Sequence, residues 1–241
     1  MNKPLIIVTG ASSGIGEATA RVFAQLGHPL LLLARRLERL EALQLPRALC
    51  REVDVTDRAA VLAAVAEAEA LFGPADALVN NAGVMLLGSM TEQDPEEWAR
   101  MLDVNVKGLL NGVNAVLKGM VERRQGTLIN VSSVAGRKTF PNHVAYVGTK
   151  FAVHAISENL REEVAPHNVR VVTIAPGAVE TELLSHTTDE AIKRGYQEWK
   201  QDMGGTVLSA EDVANAIRYA YEQPQGVCIR EIVLAATRQQ A

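Results

Sequence analysis

The sequence predicts an α/β fold: one doubly wound domain in which a parallel seven-stranded sheet carries helices on both faces. Short runs rich in valine, isoleucine and leucine alternate with longer stretches whose apolar residues recur with the helical period. Each crossover must return the chain to the same edge of the sheet, so this alternation predicts parallel strands buried on both faces. The runs lie at residues 5–8, 30–33, 49–53, 77–79, 128–131, 169–174 and 232–234.

Helix boundaries fit the same pattern. Residues 59–72 have the helical period, Asp94 precedes Pro95 at a first-turn position, and Ser209 is followed by Asp212 as in a capping box. We therefore expect helices after most of the strands.

The least sheet-like stretch is residues 183–206, which is polar and ends in Gly204 and Gly205. We expect this stretch to be helical in part and to form a flap that covers the substrate.

Length and composition bound the function. The chain has 241 residues, 48% of them hydrophobic and 22% charged, as in an ordinary globular domain. The formal net charge of -4 lacks the basic excess that nucleic-acid binding requires, so we expect no nucleic-acid partner. The apolar run at residues 5–8 is too short for a signal peptide or a membrane span, so we expect no membrane partner and a cytoplasmic location.

Cysteines and histidines give no sign of a metal site. Cys50 and Cys228 are too few for a disulfide framework or a thiolate zinc site. The histidines show no ligand-like pairing, so no metal is expected. They are His28, His143, His154, His167 and His186.

The first strand runs into a glycine-rich turn that opens a helix. Glycines permit close backbone approach, so a pyrophosphate can sit on the amides at the helix N-terminus. The G-x-x-x-G-x-G spacing is not the G-x-G-x-x-G dinucleotide fingerprint, and a purely structural turn is the alternative. The cofactor contacts predicted in this turn are Gly10, Ser12, Ser13, Gly14, Ile15 and Gly16.

The second strand ends in Leu33-Ala34-Arg35-Arg36, where a Rossmann-type domain would place the acid that binds an NAD ribose hydroxyl. Ala34 stands at that position. Arg35 and Arg36 instead offer cationic donors for a 2′-phosphate, which favours NADP over NAD. The alternative is that they are solvated residues at the start of a helix, Arg36 above all.

Asp54 follows the third strand, where its carboxylate could accept a hydrogen bond from the adenine amino group. Capping of the next helix is an equal alternative for Asp54. We include its neighbour Val55 among the cofactor contacts.

Tyr146 and Lys150 lie one helical turn apart on the same face of a stretch that runs to about residue 164. A neighbouring ammonium favours the phenolate, so we expect a lowered pKa for Tyr146 and proton exchange with a substrate hydroxyl or carbonyl. Ser133 follows the fifth strand at its carboxyl edge, where its hydroxyl could hold the substrate oxygen.

Six segments combine into one pattern along nearly the whole chain. They are the glycine turn, Asn80-Asn81-Ala82-Gly83, Asn105, Val131-Ser132-Ser133, Tyr146-Val147-Gly148-Thr149-Lys150 and Pro176-Gly177. In that order they resemble the short-chain dehydrogenase/reductase family. The resemblance implies one NADP-binding Rossmann-type domain over residues 1–241 and an NADP(H)-dependent oxidoreductase that interconverts the alcohol and carbonyl forms of a small molecule.

The resemblance also implies residue roles. Tyr146 would be the acid/base, Ser133 rather than Ser132 the anchor of the substrate oxygen, Lys150 the ligand of the nicotinamide ribose, and Asn105 the holder of a proton-relay water. Asn81, Ala82 and Gly83 would line the adenosine side of the cofactor. Pro176, Gly177, Val179 and Thr181 would surround the nicotinamide, with Thr181 on its carboxamide.

By the same resemblance, the helices that contain Asn105 and Tyr146 pair across two-fold axes in a homotetramer. Apolar residues of the second helix fit such a contact and fit burial within one subunit equally well. These residues are Ala152, Val153, Ile156 and Leu160.

Two substrate classes stay open. The ARR strand end and the C-terminal segment from Arg230 to Gln240 most resemble NADP-dependent 3-hydroxy acid or serine dehydrogenases, and Arg137 and Lys138 could pair with a substrate carboxylate or be merely solvated. Alternatively, an apolar pocket would take an uncharged ketone or aldehyde, with His143 near it. Its lining would be Met85, Val134, Phe140, Leu184 and Trp199.

Two other functions compete with this prediction: a non-catalytic NADP-sensing module and an enzyme that uses the nucleotide for another reaction, such as epimerisation. The complete set of Asn105, Ser133, Tyr146 and Lys150 argues against a sensor. Extended epimerases usually need more chain than the about sixty residues that follow Thr181.

Overall fold

The computed structural model describes residues 3–203 and 205–239, which form a single parallel sheet flanked by helices. The sheet order is β3-β2-β1-β4-β5-β6-β7, which confirms the predicted doubly wound, seven-stranded architecture. The strands are β1 (Leu5–Thr9), β2 (Leu30–Ala34), β3 (Ala48–Glu52), β4 (Ala75–Asn80), β5 (Thr127–Val131), β6 (Arg170–Pro176) and β7 (Glu231–Leu234).

Helices connect the strands. Asp94 accepts a hydrogen bond from the Glu96 amide at 3.0 Å, and Ser209 and Asp212 form a capping box, as predicted from their spacing. A π-helical turn, Asp103–Lys107, joins α4 to α5 without a break. The helices are α1 (Gly14–Gln25), α2 (Leu37–Glu41), α3 (Arg58–Phe72), α4 (Pro95–Leu102), α5 (Gly108–Arg123), α6 (Val144–Val164), α7 (Glu190–Asp202) and α8 (Ala210–Glu222).

Alternate residues of the central strands feed two apolar layers. In β1, Leu5 and Ile7 face the layer covered by α3, α5 and α6, whereas Ile6 and Val8 face the layer covered by α1 and α8. The prediction of burial on both faces is confirmed for the inner strands and is wrong for the two edge strands, β3 and β7. As an edge strand, β7 has one open side, and Val233 is 49% exposed.

The flap predicted at residues 183–206 begins in a 3₁₀ turn that starts one residue earlier, Glu182–His186, and is followed by α7; we count Glu182 as its first residue below. Leu183, Leu184 and Tyr196 of this region pack on a third apolar cluster that includes Tyr146. Gly204 lies outside the described residues, and so does Gln240 of the C-terminal segment. None of the helices in the described ranges combines the length and apolar composition that crossing a bilayer demands.

Candidate active site

A cavity of about 1010 Å³ opens at the carboxyl ends of β1, β2, β4, β5 and β6, with the flap as its outer wall. This is the crevice where open α/β sheets bind ligands. All of the predicted site residues except Gly16 and Asn105 line it. The structure therefore brings together, at one edge of the sheet, residues that are up to 171 positions apart in the chain, from Gly10 to Thr181.

The glycine turn has a backbone that side chains would disrupt. Gly10 and Gly14 have φ angles of +66° and +54°, in the left-handed region. Gly16 does not line the cavity. Glycine is needed there because a Cβ atom would lie 2.2 Å from the Gly10 carbonyl oxygen. The Asn81 side chain donates hydrogen bonds to the carbonyl oxygens of Thr9 and Gly10 at 3.1 and 3.2 Å. Asn81 thus holds the turn in place.

Two arginines, Arg35 and Arg36, follow β2 at one end of the cavity, and both line it. Arg36 stands at the start of α2 and its side chain is 40% exposed, but its guanidinium also donates to the hydroxyls of Ser12 and Ser13 in the glycine turn and to Glu182. Arg35 is exposed, and its side chain has no hydrogen-bond partner within residues 3–203 and 205–239. Both side chains can therefore present cationic donors to a bound anion.

Asp54 does not cap the next helix. Its Oδ1 accepts from the amide and hydroxyl of Thr56 at 2.9 and 2.8 Å, and Asp57 caps α3 instead. Burial raises the pKa of Asp54, but the hydrogen bonds from Thr56 and the charges of Arg35 and Arg100 outweigh burial and hold the pKa below its ordinary value. An ionised acceptor therefore stands on the cavity wall beside Val55.

Tyr146, Lys150 and Ser133 converge on the opposite part of the wall. Lys150 Nζ lies 5.7 Å from the centre of the Tyr146 ring and donates to the Val131 carbonyl at 3.1 Å. The Ser133 hydroxyl, on the loop after β5, accepts from the Ala135 amide at 3.1 Å and donates to the Pro176 carbonyl at 3.4 Å. A hydroxyl, a phenol and an ammonium thus share one buried corner.

Burial governs the ionisation of this corner. It raises the pKa of Tyr146, and the neighbouring Ser133 hydroxyl only partly offsets that effect. It also lowers the pKa of Lys150 to about 8. The lowered pKa expected for Tyr146 was wrong in direction, because removal of a phenolate from water outweighs the attraction of an ammonium whose own charge is also destabilised by burial.

Asn105 lies behind the corner, in the π-helical turn, and is buried. Its Oδ1 accepts from the Val84 amide at 2.8 Å, and its Nδ2 donates to the Val84 carbonyl at 2.9 Å and to Thr149 Oγ1 at 3.1 Å. These bonds use both hydrogens of the side-chain amide and one of the two acceptor positions of Oδ1. Asn105 therefore ties the loop after β4 to α6, and its role as the holder of a proton-relay water stays a prediction.

Sequence reasoning missed a hydrogen-bonded chain beneath Ser133. Ser132 Oγ lies 2.9 Å from His154 Nδ1, and His154 Nε2 lies 3.0 Å from a carboxylate oxygen of Glu231 on β7. A Cβ atom at Gly136 would lie 2.2 Å from His154 Nδ1, so the histidine ring packs directly on the Ser133 loop. His154 lies one helical turn after Lys150, which is a weak signal by itself, and nothing local marks Glu231 as its partner.

The part of the cavity between Tyr146 and the flap is lined mainly by apolar residues. All five residues predicted for an apolar pocket line the cavity, together with Tyr196 and His143, whose pKa burial lowers. Arg137 instead forms an ion pair with Glu231, and Lys138 lies 5.8 Å from the centre of the Phe140 ring; neither lines the cavity. The predicted pairing of these two cations with a substrate carboxylate therefore finds no support in their positions.

Comparisons with known proteins agree with this geometry. A family model described as short chain dehydrogenase matches residues 4–192. An uncharacterized oxidoreductase of Staphylococcus saprophyticus is 38% identical over 241 residues, which are 98% of this chain and 96% of the relative. The closed form of a serine dehydrogenase complexed with NADP+ superposes with a TM-score of 0.90 at 34% identity, over 98% of this chain and 96% of that one. An alcohol dehydrogenase from the archaeon Thermococcus sibiricus, complexed with 5-hydroxy-NADP, gives a TM-score of 0.86 at 26% identity, over 100% and 99% of the two chains.

Proposed function

The chain belongs to the short-chain dehydrogenase/reductase family of oxidoreductases, and from this premise we propose that it is an NADP(H)-dependent enzyme that interconverts an alcohol and a carbonyl compound. The observation that carries the proposal is the convergence of Ser133, Tyr146 and Lys150 on one buried corner of the cavity. A phenol, a hydroxyl and an ammonium are the groups needed to hold a carbonyl oxygen and to move one proton.

The cavity fits NADP(H). The Cβ-free turn at Gly10 and Gly14 leaves room for a pyrophosphate above the N-terminus of α1. The cationic pair Arg35 and Arg36 suits a 2′-phosphate, and Asp54 offers an acceptor to the adenine amino group. Bound NADP(H) supplies or accepts the hydride of the reaction.

The side chains of the buried corner supply the proton and hold the oxygen. Burial keeps the Tyr146 phenol protonated at neutral pH, so in the reductive direction it can donate its proton to the carbonyl oxygen of a substrate. The Ser133 hydroxyl holds the same oxygen, and the Lys150 ammonium stabilises the phenolate left on Tyr146. Asn105 and the hydrogen-bonded series Ser132, His154 and Glu231 hold the segments that carry these side chains in place.

The substrate is a small carbonyl compound or the corresponding alcohol. The apolar lining favours an uncharged aldehyde or ketone, while the likeness to a serine dehydrogenase favours a 3-hydroxy acid. Lys200 on α7 is the cation of the flap that lines the cavity, and its ammonium lies 2.5 Å from Glu180. A substrate carboxylate would have to share Lys200 with Glu180.

The enzyme is a homotetramer in this proposal, which apolar residues on the outside of the helices support. Val153 and Leu160 are buried within the subunit, but Leu110 of α5 and Phe151 of α6 are 44% and 43% exposed. Exposed apolar side chains of this size favour contact with another subunit. Sedimentation of the wild type and of Phe151→Asp tests this, with a loss of tetramer expected in the variant.

Initial rates test the proposed activity. NADPH and NADH oxidation would be followed at the nicotinamide absorbance with aldehydes, ketones and 3-oxo acids including malonate semialdehyde, and serine and 3-hydroxy acids would be tested in reverse. Turnover with a preference for NADPH supports the proposal and identifies the substrate class. Tight NADPH binding without turnover of any compound would instead support the non-catalytic NADP-sensing module.

A further inference from the structure

A carboxylate of the flap occupies the cationic end of the cavity. Glu182 Oε2 accepts from Arg36 Nη1 at 3.0 Å, and its two oxygens accept from Arg39 Nη1 at 2.8 and 3.0 Å. Glu182 lies in the 3₁₀ turn of the flap, whereas the two arginines lie at and within α2. The carboxylate of Glu182 therefore connects the flap to Arg36 and Arg39.

Arg36 is part of a larger set of hydrogen-bond donors. Its Nη2 donates to Ser12 Oγ at 3.1 Å and to Ser13 Oγ at 3.0 Å, so each hydroxyl accepts from Arg36 and keeps its own proton to donate. In the described ranges neither of these two protons has an acceptor. Arg36, Ser12 and Ser13 together form a set of donors suited to an anion, and Glu182 is the anion that Arg36 holds in this structure.

His186 gives a second, separate indication that this end of the flap faces an anion site. It lines the cavity, and its Nδ1 is buried with no hydrogen-bond partner among residues 3–203 and 205–239. Burial and the charges of Arg100, Arg35 and Arg36 lower its pKa. An anion among these arginines would compensate their charge, and in the tautomer that carries the proton on Nδ1 it would accept a hydrogen bond from His186.

We propose that Glu182 tunes the preference for NADP(H) over NAD(H) by competing with the cofactor's 2′-phosphate for Arg36. The inference rests on the proposed NADP(H) function. A nucleotide with a 2′-phosphate exchanges with the carboxylate on Arg36, and a nucleotide without it leaves the ion pair intact. Because Arg39 also binds Glu182, the flap stays attached to α2 after the exchange.

The size of the effect follows from exposure. The side chains of Arg36 and Glu182 are 40% and 49% exposed, and ion pairs between such solvated groups are weak. Removal of the competitor therefore tightens binding of a 2′-phosphate by about two- to five-fold. Removal of Arg36 itself would weaken binding of the 2′-phosphate.

Calorimetric titration of the full chain with 2′,5′-ADP and with 5′-AMP tests the inference without any turnover. Wild type, Glu182→Gln and Glu180→Gln would be compared. Glu180→Gln is the matched control, because it removes the same charge from a neighbouring position whose partner is Lys200 and not Arg36. We expect Glu182→Gln to bind 2′,5′-ADP about two- to five-fold more tightly and 5′-AMP unchanged, and Glu180→Gln to keep the wild-type ratio of the two affinities.

The possible outcomes separate the two proposals. A wild type that binds both ligands equally well would overturn the NADP(H) assignment itself. A wild type that prefers 2′,5′-ADP, with an equal or smaller preference in Glu182→Gln, would overturn the competition and make Glu182 a support for Arg36. If Glu180→Gln gains as much affinity for 2′,5′-ADP as Glu182→Gln does, the effect arises from the overall charge of the site, which would also overturn the competition.

Discussion

The ammonium of Lys150 lies 5.7 Å from the centre of the Tyr146 ring, in a corner where both side chains are at least 94% buried. Burial favours the uncharged form of both groups. It keeps the phenol of Tyr146 protonated and makes the ammonium of Lys150 easier to deprotonate. In the proposed mechanism Tyr146 gives its proton while Lys150 is still charged, and this requirement would restrict the pH range of activity.

This restriction predicts a pH profile. The pKa of Lys150 is lowered to about 8, so its charge is present below that pH and lost above it. We expect kcat for carbonyl reduction at saturating NADPH to fall as the pH rises through about 8. Stopped-flow rates across pH 6–10, a range chosen to span the shift, measure this fall.

Lys150→Arg is the control for that profile. A guanidinium stays charged throughout this range, so the variant should lose the fall near this pH even if its rate is lower overall. An unchanged midpoint in Lys150→Arg would show that another group is titrating.

Arg35→Ala should discriminate between the two nicotinamide cofactors. Arg35 lines the adenosine end of the cavity beside Asp54, where a 2′-phosphate would gain a charge-assisted hydrogen bond. We expect the dissociation constant of NADPH to rise about ten-fold or more and that of NADH to change little. Fluorescence titration measures both constants. Arg51→Ala, which removes an arginine paired with Glu67 outside the cavity, is the control, and equal losses for both cofactors in Arg35→Ala would refute the phosphate contact.

Gly136→Ala should destabilise the fold through His154. The new Cβ would lie 2.2 Å from His154 Nδ1, and such overpacking costs about 1–3 kcal/mol in the free energy of unfolding. Denaturant unfolding measures the loss. The same substitution in a His154→Ala background should cost less, because the contact with the ring is then removed and only the 2.7 Å contact with the Lys150 carbonyl oxygen remains.

Gly195→Ala is the matched control for that experiment. Gly195 lies in α7, and a Cβ there meets nothing within 4 Å, so alanine should be neutral or stabilising by up to about 1 kcal/mol. If Gly136→Ala is as stable as Gly195→Ala, the contact between His154 and the Ser133 loop is not rigid.

Most of the architecture could be predicted from the sequence because the signals for it are local. The apolar runs placed the seven strands to within about two residues of their observed bounds, and the capping residues Asp94 and Ser209 marked two helix starts. The edge position of β7 was not predictable in this way. Strand order depends on which elements pack together, and the composition of a four-residue strand does not encode it.

The site could be predicted only as a set of residues. Spacing indicated that Tyr146 and Lys150 share a helix face, but the direction of the Tyr146 pKa shift depends on how far the corner is buried. Similarly, the sequence offered Arg36 as a phosphate ligand and could not reveal that Glu182, 146 positions away, binds it. Electrostatic partners of this kind arise from tertiary contacts, which leave no local pattern.

The most direct test of the proposed function is to measure kcat and NADPH affinity for the Tyr146→Phe variant. Tyr219→Phe is the control, because Tyr219 lies on α8 and is 58% exposed. Loss of the only atom proposed to donate the proton should lower kcat by about 10²–10⁴-fold on the best substrate, while NADPH binding stays close to that of the wild type. Tyr219→Phe should match the wild type in both respects. Turnover by Tyr146→Phe at the wild-type rate would contradict the proposed catalytic role of the corner formed by Ser133, Tyr146 and Lys150.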